Sequence, residues 1–413
     1  MSKINVITTF SGYDSQCLAL DEIKKIHPDF DYDLIAWCEI DKYAIQAHNQ
    51  LYPQWADRNE GDITKVDWNK FRGGAEIDLF TYSSPCQDIS QAGKQMGLQE
   101  GSETRSSLLW NVIDAIKVLR PKFLMQENVK ALVSKKFMPD FQKWCERLEG
   151  YGYKNYWAVL NAKDFGVPQN RERVFMISVR DDQPFRYEFP KGFPLKTVLA
   201  DVLEQEVDEC YYLSDKSVEQ FLYNSAEFKE KHDFSLNPTG VRVSGSIECS
   251  SIADEVSSDA MPTNFDEKDE NGLPLYVKAP SGNVYNLEYV EEDGVKHPRW
   301  TRTVIDEDGK EHKWGIRFRI RKLTPRECFR LMGVKDDRID QLLATERVPA
   351  KKGSTEMVDR LIISKSQLYK CAGNSIVVDV MQYIFENLFY PTYDTDIAAA
   401  RDKQGQGIIE FEF

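Results

Sequence analysis

The sequence predicts an α/β protein with a doubly wound, mostly parallel sheet, joined to a smaller and more irregular region. Three observations predict it. Short β-rich apolar runs alternate with longer amphipathic runs over roughly the first 180 residues, the rhythm of repeated strand–helix–strand units. That rhythm is lost between Lys191 and Leu361, where acidic, Ser- and Gly-containing stretches appear. Order returns after residue 365, with the apolar run Ile376–Met381 leading into a helix to about Leu388.

Residues 4–10 read as the first strand and 15–26 as the helix that follows. A second strand at 33–38 leads to a helix carrying Tyr43, Ala44 and Ala47. Residues 77–82, 122–125, 156–160 and 173–179 supply further strands, with helical patterns at 108–119 and 137–148. The expected organisation is a main domain over 1–190 completed by 362–400, a second domain over 191–361, and a tail over 401–413. Within the second domain, Ser250–Gly272 holds seven Asp or Glu against one Lys and reads as a loop or mobile insert.

A chain of 413 residues is long enough for two domains, and its 41% hydrophobic and 29% charged residues are ordinary for a soluble protein. No apolar run reaches the length needed to span a bilayer, and Met1–Asn5 lacks a signal peptide's apolar core, so the cytoplasm is the expected compartment. The eight cysteines are scattered without a CxxC pair, which suggests neither a metal site nor a disulfide framework. A net charge of −14 argues against indiscriminate coating of nucleic acid but leaves room for a local basic groove. Between Glu311 and Arg330 there are seven Lys or Arg (Lys313, Arg317, Arg319, Arg321, Lys322, Arg326, Arg330) against two Glu. On its own, such a run reads more simply as a solvated surface.

In an open α/β sheet, ligands bind beyond the carboxyl ends of the strands, so the strand ends carry the functional candidates. The first strand runs into Phe10-Ser11-Gly12, a turn able to bring backbone amides against a nucleotide. The second ends in Glu39-Ile40-Asp41, where a carboxylate can accept from ribose hydroxyls, and Asp62-Ile63 follows, where another can accept from an adenine amino group. Each of these is equally an ordinary turn or helix cap. Ser84-Pro85-Cys86-Gln87 places a thiol at the sheet edge, before a stretch with Gly93, Gly97 and Gly101; a buried Cys is the plainer reading. Glu127 ends another strand, and Arg171 and Arg173 begin yet another, on one face because positions i and i+2 share it.

Taken together, these motifs resemble the cytosine-5 DNA methyltransferase family. Pro85-Cys86-Gln87, Glu127-Asn128-Val129, Gln169-x-Arg171-x-Arg173, Arg321-Lys322-Leu323-Thr324-Pro325-Arg326-Glu327 and Gly373-Asn374-Ser375 occur in its order and at about its spacing, across residues 4–180 and 317–385. The resemblance implies the S-adenosylmethionine-dependent methyltransferase fold, with 191–361 as a β-rich target recognition domain. It implies Phe10, Gly12, Glu39, Ile40, Asp62, Ile63, Pro85, Leu108 and Asn374 as cofactor contacts, and double-stranded DNA as the substrate. It further implies Cys86 as the nucleophile at cytosine carbon 6, with Gln87 and Ser90 in the same loop. Glu127 would be the proton donor to N3 with a raised pKa, Arg173 a contact to the base's O2, and Arg171 a support for the site. Residues 88–104 resemble the loop that closes behind a flipped-out base, followed by Arg105-Ser106-Ser107-Leu108.

There is one departure from the pattern. The family has a second glycine two residues after Gly12, and this chain has Asp14, which tolerates positive φ and is expected to cap the helix. Readers of the target sequence are expected between Tyr211 and Trp314, with Arg242, Arg299 and Arg302 as candidates. The reading expects a monomer associated with the nucleoid of a bacterial or phage-infected cell. A separate restriction endonuclease would be its counterpart in a restriction–modification pair. Three alternatives stand beside it. A tRNA cytosine-5 methyltransferase shares the chemistry, although the long 191–315 segment favours DNA. A catalytically silent DNA-binding relative conflicts with intact Cys86, Glu127, Arg171 and Arg173, and a nucleotide-dependent oxidoreductase leaves Pro85-Cys86-Gln87 unexplained.

Overall fold

The structure, a computed structural model, describes residues 3–85, 105–184, 186–212, 242–249, 276–278, 284–292, 295–305, 311–350 and 355–391. Two compact units divide the chain, one from Met1–Val202 with Phe329–Phe413 and the other from Leu203–Cys328.

The first unit is built on a sheet of strands β1 (Ile4–Thr9), β2 (Tyr32–Cys38), β3 (Leu79–Tyr82), β4 (Phe123–Val129), β5 (Tyr153–Asn161) and β6 (Glu172–Arg180), in the order β2-β1-β3-β4-β6-β5. β2, β1, β3 and β4 run parallel, and β6 lies antiparallel between β4 and β5. Their alternating residues feed two cores, since successive side chains point to opposite faces. On one face Ile7, Phe80, Leu124 and Met176 pack with helices α3 (Val112–Leu119) and α4 (Met138–Glu149) around Trp144. On the other, helix α1 (Ser15–Ile26) lies along a C-terminal helix, Val378–Phe389, whose Phe389 meets Phe123 of β4 edge-on. Helix α2 (Lys42–Leu51) follows β2. The sheet is therefore mostly parallel and covered on both faces, as the strand–helix alternation predicts.

Two boundaries differ from the sequence reading. The apolar run Ile376–Met381 is the start of the Val378–Phe389 helix, and another helix, Lys365–Asn374, precedes it. The second unit is narrower than 191–361, because residues after 328 pack into the first. Phe329 sits edge-on to Tyr13 at 5.5 Å, Gln169 donates to the Leu331 carbonyl at 2.7 Å, and the Val378 amide donates to the Met332 carbonyl at 2.9 Å. These contacts pull a helix at Asp336–Leu342 and a hairpin of Thr345–Pro349 with Met357–Leu361 into the main body.

The Leu203–Cys328 unit carries an antiparallel sheet of β7 (Arg242–Cys249), β8 (Tyr276–Lys278), β9 (Val284–Glu292), β10 (Val295–Ile305) and β11 (Glu311–Lys322), in the order β7-β11-β10-β9-β8. The Thr324-Pro325-Arg326-Glu327 motif forms a helix start. Thr324 and Glu327 exchange hydrogen bonds, Thr324 N to Glu327 Oε2 at 2.7 Å and Glu327 N to Thr324 Oγ1 at 3.2 Å, the reciprocal pattern of a capping box with proline in the first turn. Glu327 also accepts from both terminal guanidinium nitrogens of Arg321 at 2.7 Å in a buried bidentate pair. Arg326 pairs with Glu204 and Arg330 with Asp336, so three of the seven cations in this run serve the fold. The helices Pro325–Arg330, Asp336–Leu342, Lys365–Asn374 and Val378–Phe389 are numbered α5 to α8 below.

Candidate active site

Leaving β1, the turn Phe10–Asp14 has left-handed residues at alternate positions, Phe10 at φ 53°, Gly12 at 59° and Asp14 at 67°. Glycine takes such angles freely, whereas other residues give up ~1–2 kcal/mol each. The Gly12 N–H points at the end of β2, donating to Glu39 Oε2 at 2.9 Å. The other oxygen of Glu39 accepts from the Ile40 and Asp41 amides, both at 2.8 Å. One carboxylate thus organises the backbone of both strand ends. Asp41 caps α2 by accepting from Tyr43 N and Ala44 N, and Lys370 of α7 pairs with it from across the cavity. Asp62 accepts from the Thr64 hydroxyl and amide, which holds its carboxyl below the ordinary range.

Asp14 does not act as expected. It takes the left-handed conformation, but its side chain makes no capping bond to α1. The carboxylate turns into the core instead, where Oδ2 accepts from Thr8 Oγ1 at 2.9 Å and lies 3.5 Å from His48 Nε2. Both Asp14 and His48 are fully buried.

The other wall is made of charge. β6 runs antiparallel to β4, so its first residues fall at the same sheet edge as the last residues of β4, and Arg173 sits opposite Val129. That register brings Arg173 Nε to 3.3 Å from Glu127 Oε1, while Ser83 Oγ donates to Glu127 Oε2 at 3.2 Å. Glu127 is buried. Burial raises its carboxyl above the ordinary range, opposed by the positive charges of Arg173 and Arg171 and by the Ser83 bond. Arg171 reaches the opposite way, donating from Nη2 to the carbonyls of Gly373 at 3.0 Å and Ser375 at 2.7 Å. It fastens the segment after α7 to the sheet edge.

All nine residues assigned to the cofactor, Phe10, Gly12, Glu39, Ile40, Asp62, Ile63, Pro85, Leu108 and Asn374, line one cavity of about 320 Å³, together with Glu127, Arg171 and Arg173. Cys86, Gln87 and Ser90 lie outside the described residues, as do the rest of 88–104, the Ser250–Gly272 insert and the 401–413 tail. Arg242, Arg299 and Arg302 fall on β7 and β10.

Sequence reasoning overlooked the residues that hold this arrangement. Asn128 donates from Nδ2 to the Ser84 carbonyl at 3.1 Å and takes the Val129 amide on Oδ1, fixing the chain just before Pro85. Ser83 and Lys370 were equally unmarked, and Asp41, named at the end of the second strand, was not read as an ion-pair partner. Asn128 and Ser83 flank singled-out residues, so adjacency was the available signal; the Asp41–Lys370 pair spans 329 positions and left none.

The sequence profile described as "C-5 cytosine-specific DNA methylase" matches residues 4–390. The chain belongs to that family. It is similar to type II methyltransferase M2.ScrFI of Lactococcus lactis subsp. cremoris, with 33% identity over 89% of this chain and 81% of that one. It is similar to orphan methyltransferase M.SPRI of Bacillus phage SPR at 28% identity, over 94% of this chain and 98% of the relative. Among solved structures, the Entamoeba histolytica methyltransferase EhMeth matches 95% of this chain and 100% of its own, at 16% identity and a TM-score of 0.56, and shares the fold. As a C-5 cytosine-specific DNA methylase, the chain is an enzyme that methylates cytosine in DNA, and S-adenosylmethionine is the methyl donor the family implies. Among the described residues no helix is long and apolar enough to cross a membrane.

The cavity's chemistry fits that donor. Ile40 lines the cavity at 72% exposure, apolar surface suited to covering a flat ring, and a side chain built on Gly12 would meet nothing within 4 Å. Glu39 and Asp62 supply the acceptors that a nucleoside's hydroxyl and amino groups require.

Proposed function

We propose that this enzyme methylates carbon 5 of cytosine within a specific double-stranded DNA sequence, on a base flipped into the cavity, through a covalent bond to Cys86. The observation that carries the reading is the convergence of Glu127 and Arg173 on the cavity that all nine cofactor residues line, beside the segment leading into Pro85-Cys86.

The residues would act as follows. The turn at Phe10–Gly12, Glu39, Ile40, Asp62 and Asn374 hold the cofactor. When bound, S-adenosylmethionine supplies a methyl group made electrophilic by its sulfonium. The Cys86 thiolate adds to carbon 6, forming the S–C6 bond and sending the C5–C6 electron pair toward carbon 5. Glu127 donates its proton to N3 as charge builds there, which is the use of a carboxyl whose pKa is raised by burial. Arg173 holds the base's O2 and stays beside the Glu127 carboxylate as it forms. Carbon 5 then takes the methyl group, leaving S-adenosylhomocysteine. The carbon-5 proton leaves to a base as the Cys86 sulfur departs with its electron pair, and N3 returns its proton to Glu127, which restores the aromatic ring and the acid. Flipping exposes the ring to these groups at a cost of a few kcal/mol.

Target reading is assigned to the Leu203–Cys328 unit, with Arg242, Arg299 and Arg302 on its sheet as candidates. The enzyme serves as the modification partner of a separate endonuclease or as an orphan enzyme; among its relatives, one is named a type II methyltransferase and another an orphan methyltransferase.

The test uses a duplex with 5-fluorocytosine at the target. Fluorine cannot leave as a cation, so the protein should remain attached in a band that survives denaturation and requires S-adenosylmethionine. Cys86→Ala should abolish the band and turnover while keeping DNA binding, since phosphate contacts do not involve the thiol. A crosslink mapping to another cysteine, or tritium transferred to tRNA and not DNA, would overturn the reading.

A further inference from the structure

Beneath the cofactor turn lies a polar cluster that the proposed mechanism does not use. Thr8 Oγ1 bridges Asp14 Oδ2 at 2.9 Å and Ser11 Oγ at 2.9 Å. Ser11 is tied to the end of β2, its amide donating to the Cys38 carbonyl at 3.2 Å, and its own carbonyl takes the Asp14 amide at 2.8 Å. Asp14 Oδ2 lies 3.5 Å from His48 Nε2, and His48 is stacked on Trp37 at 3.7 Å between ring centres. Thr8, Asp14, Trp37 and His48 are all fully buried. The neighbouring Cys17 thiol is pushed well above its ordinary value by burial, then by the negative charges of Asp14 and Asp21.

A buried carboxylate is expensive unless something holds it, and here it stands on a residue in the left-handed conformation, at φ 67°. Glycine would give the left-handed angle at position 14 at no cost, so the aspartate supplies something besides the angle. Its tether runs through Thr8 to Ser11, the residue between the two left-handed residues Phe10 and Gly12 that face the cavity. On the other side of the carboxylate stands His48 of α2, 3.5 Å away and outside the cavity lining.

We propose that Asp14, Thr8 and His48 form a buried clamp that holds the Phe10–Gly12 turn in its cofactor-binding shape, making Asp14 and His48 positioning residues for cofactor affinity. The clamp replaces glycine's freedom at this position with a fixed anchor. This rests on the cofactor reading of the cavity, and the experiment separates the two.

Calorimetry on the full chain measures the affinity for S-adenosylhomocysteine and S-adenosylmethionine, alongside the affinity for target duplex. The wild type must bind both cofactor forms; failure there sinks the cofactor reading itself. Asp14→Gly keeps the angle and deletes the anchor, and should weaken cofactor binding about tenfold, the scale of one lost buried hydrogen bond to a charged group. Its KM for S-adenosylmethionine should rise more than kcat falls, and Asp14→Asn, which still accepts from Thr8, should recover part of the loss. His48→Phe, which can still stack on Trp37, should weaken cofactor binding without weakening duplex binding. Should that variant fail to fold, Thr8→Val removes only the hydroxyl and carries the same expectation. Cofactor binding by Asp14→Gly that equals or exceeds the wild type would show that position 14 needs only glycine's angle, and the clamp would be discarded.

Discussion

The two walls of the cavity are made of different materials. On the β1–β2 side the shape comes from backbone: left-handed residues, a carboxylate engaged by the Gly12, Ile40 and Asp41 amides, and a buried anchor behind them. On the β4–β6 side it comes from charges held out of water, with Glu127 between Ser83 and Arg173. The first wall is suited to holding a ligand still. The second is suited to changing its protonation. Substitutions should therefore divide into those that act on affinity and those that act on rate, and each of the following tests that division.

The largest effect belongs to Glu127→Gln. Loss of a general acid should lower kcat by about 10²- to 10⁴-fold with little change in cofactor affinity. The same substitution should flatten the dependence of stability on pH. Because burial raises the folded-state pKa of Glu127 above its unfolded value, the wild type binds the extra proton when folded. Its stability then declines as pH rises from the ordinary carboxylate range through the raised value, and Gln removes that decline. Denaturant unfolding followed across pH would show parallel curves for the two proteins if Glu127 contributed nothing. In activity, the acid form is lost over the same window, so the wild-type rate should fall as pH rises through it.

Next in size is Arg173→Ala, expected to lower kcat by roughly 10²- to 10³-fold, the scale of one lost electrostatic contact in a catalytic site. Single-turnover kinetics at saturating cofactor read it directly, and an effect confined to KM would place Arg173 on the affinity side. Glu39→Gln comes third. A neutral amide cannot serve three backbone donors as a carboxylate does, so cofactor affinity should fall about ten- to a hundredfold while chemistry in the loaded enzyme changes less. Ile40→Ala is the smallest. Trimming exposed apolar surface should weaken cofactor binding by roughly three- to tenfold and leave Tm unmoved, since the side chain supports no core. A fall in Tm would mean it supports the fold after all.

How much of this was legible in the sequence follows the same divide. Parallel strands and their covering helices announce themselves through periodicity, and α1 spans Ser15–Ile26 in the structure as its apolar spacing predicts. Phe10, Gly12 and Glu39 stood out because they lie just past strand ends, a position that topology fixes. Asp62, Ile63, Leu108 and Asn374 sit in or beside helices, and Leu108 and Asn374 came only from the motif resemblance. What periodicity cannot give is where a polar side chain turns once buried. Asp14 reads as a helix cap by every local rule, yet Thr8 and His48, six and thirty-four positions away, draw its carboxylate into the core. The C-terminal return was legible as an apolar run leading into a helix to about Leu388. α8 already begins within that run, at Val378, since burial against α1 overrides the weak helix preference of β-branched Val378 and Val380.

Arg171 carries a consequence that concerns time. Its guanidinium closes the site only by grasping carbonyls 202 and 204 residues further along the chain. At ~5–20 residues per second, a ribosome needs about 10–40 s to make the intervening segment. Throughout that interval the sheet can form, and the basic side chains can meet DNA, but the chamber has no back wall. The chain should therefore gain activity late, once the segment after α7 has docked. A chain interrupted before Gly373 should fold its sheet without modifying DNA, and supplying residues 362–391 as a separate peptide should restore turnover to it.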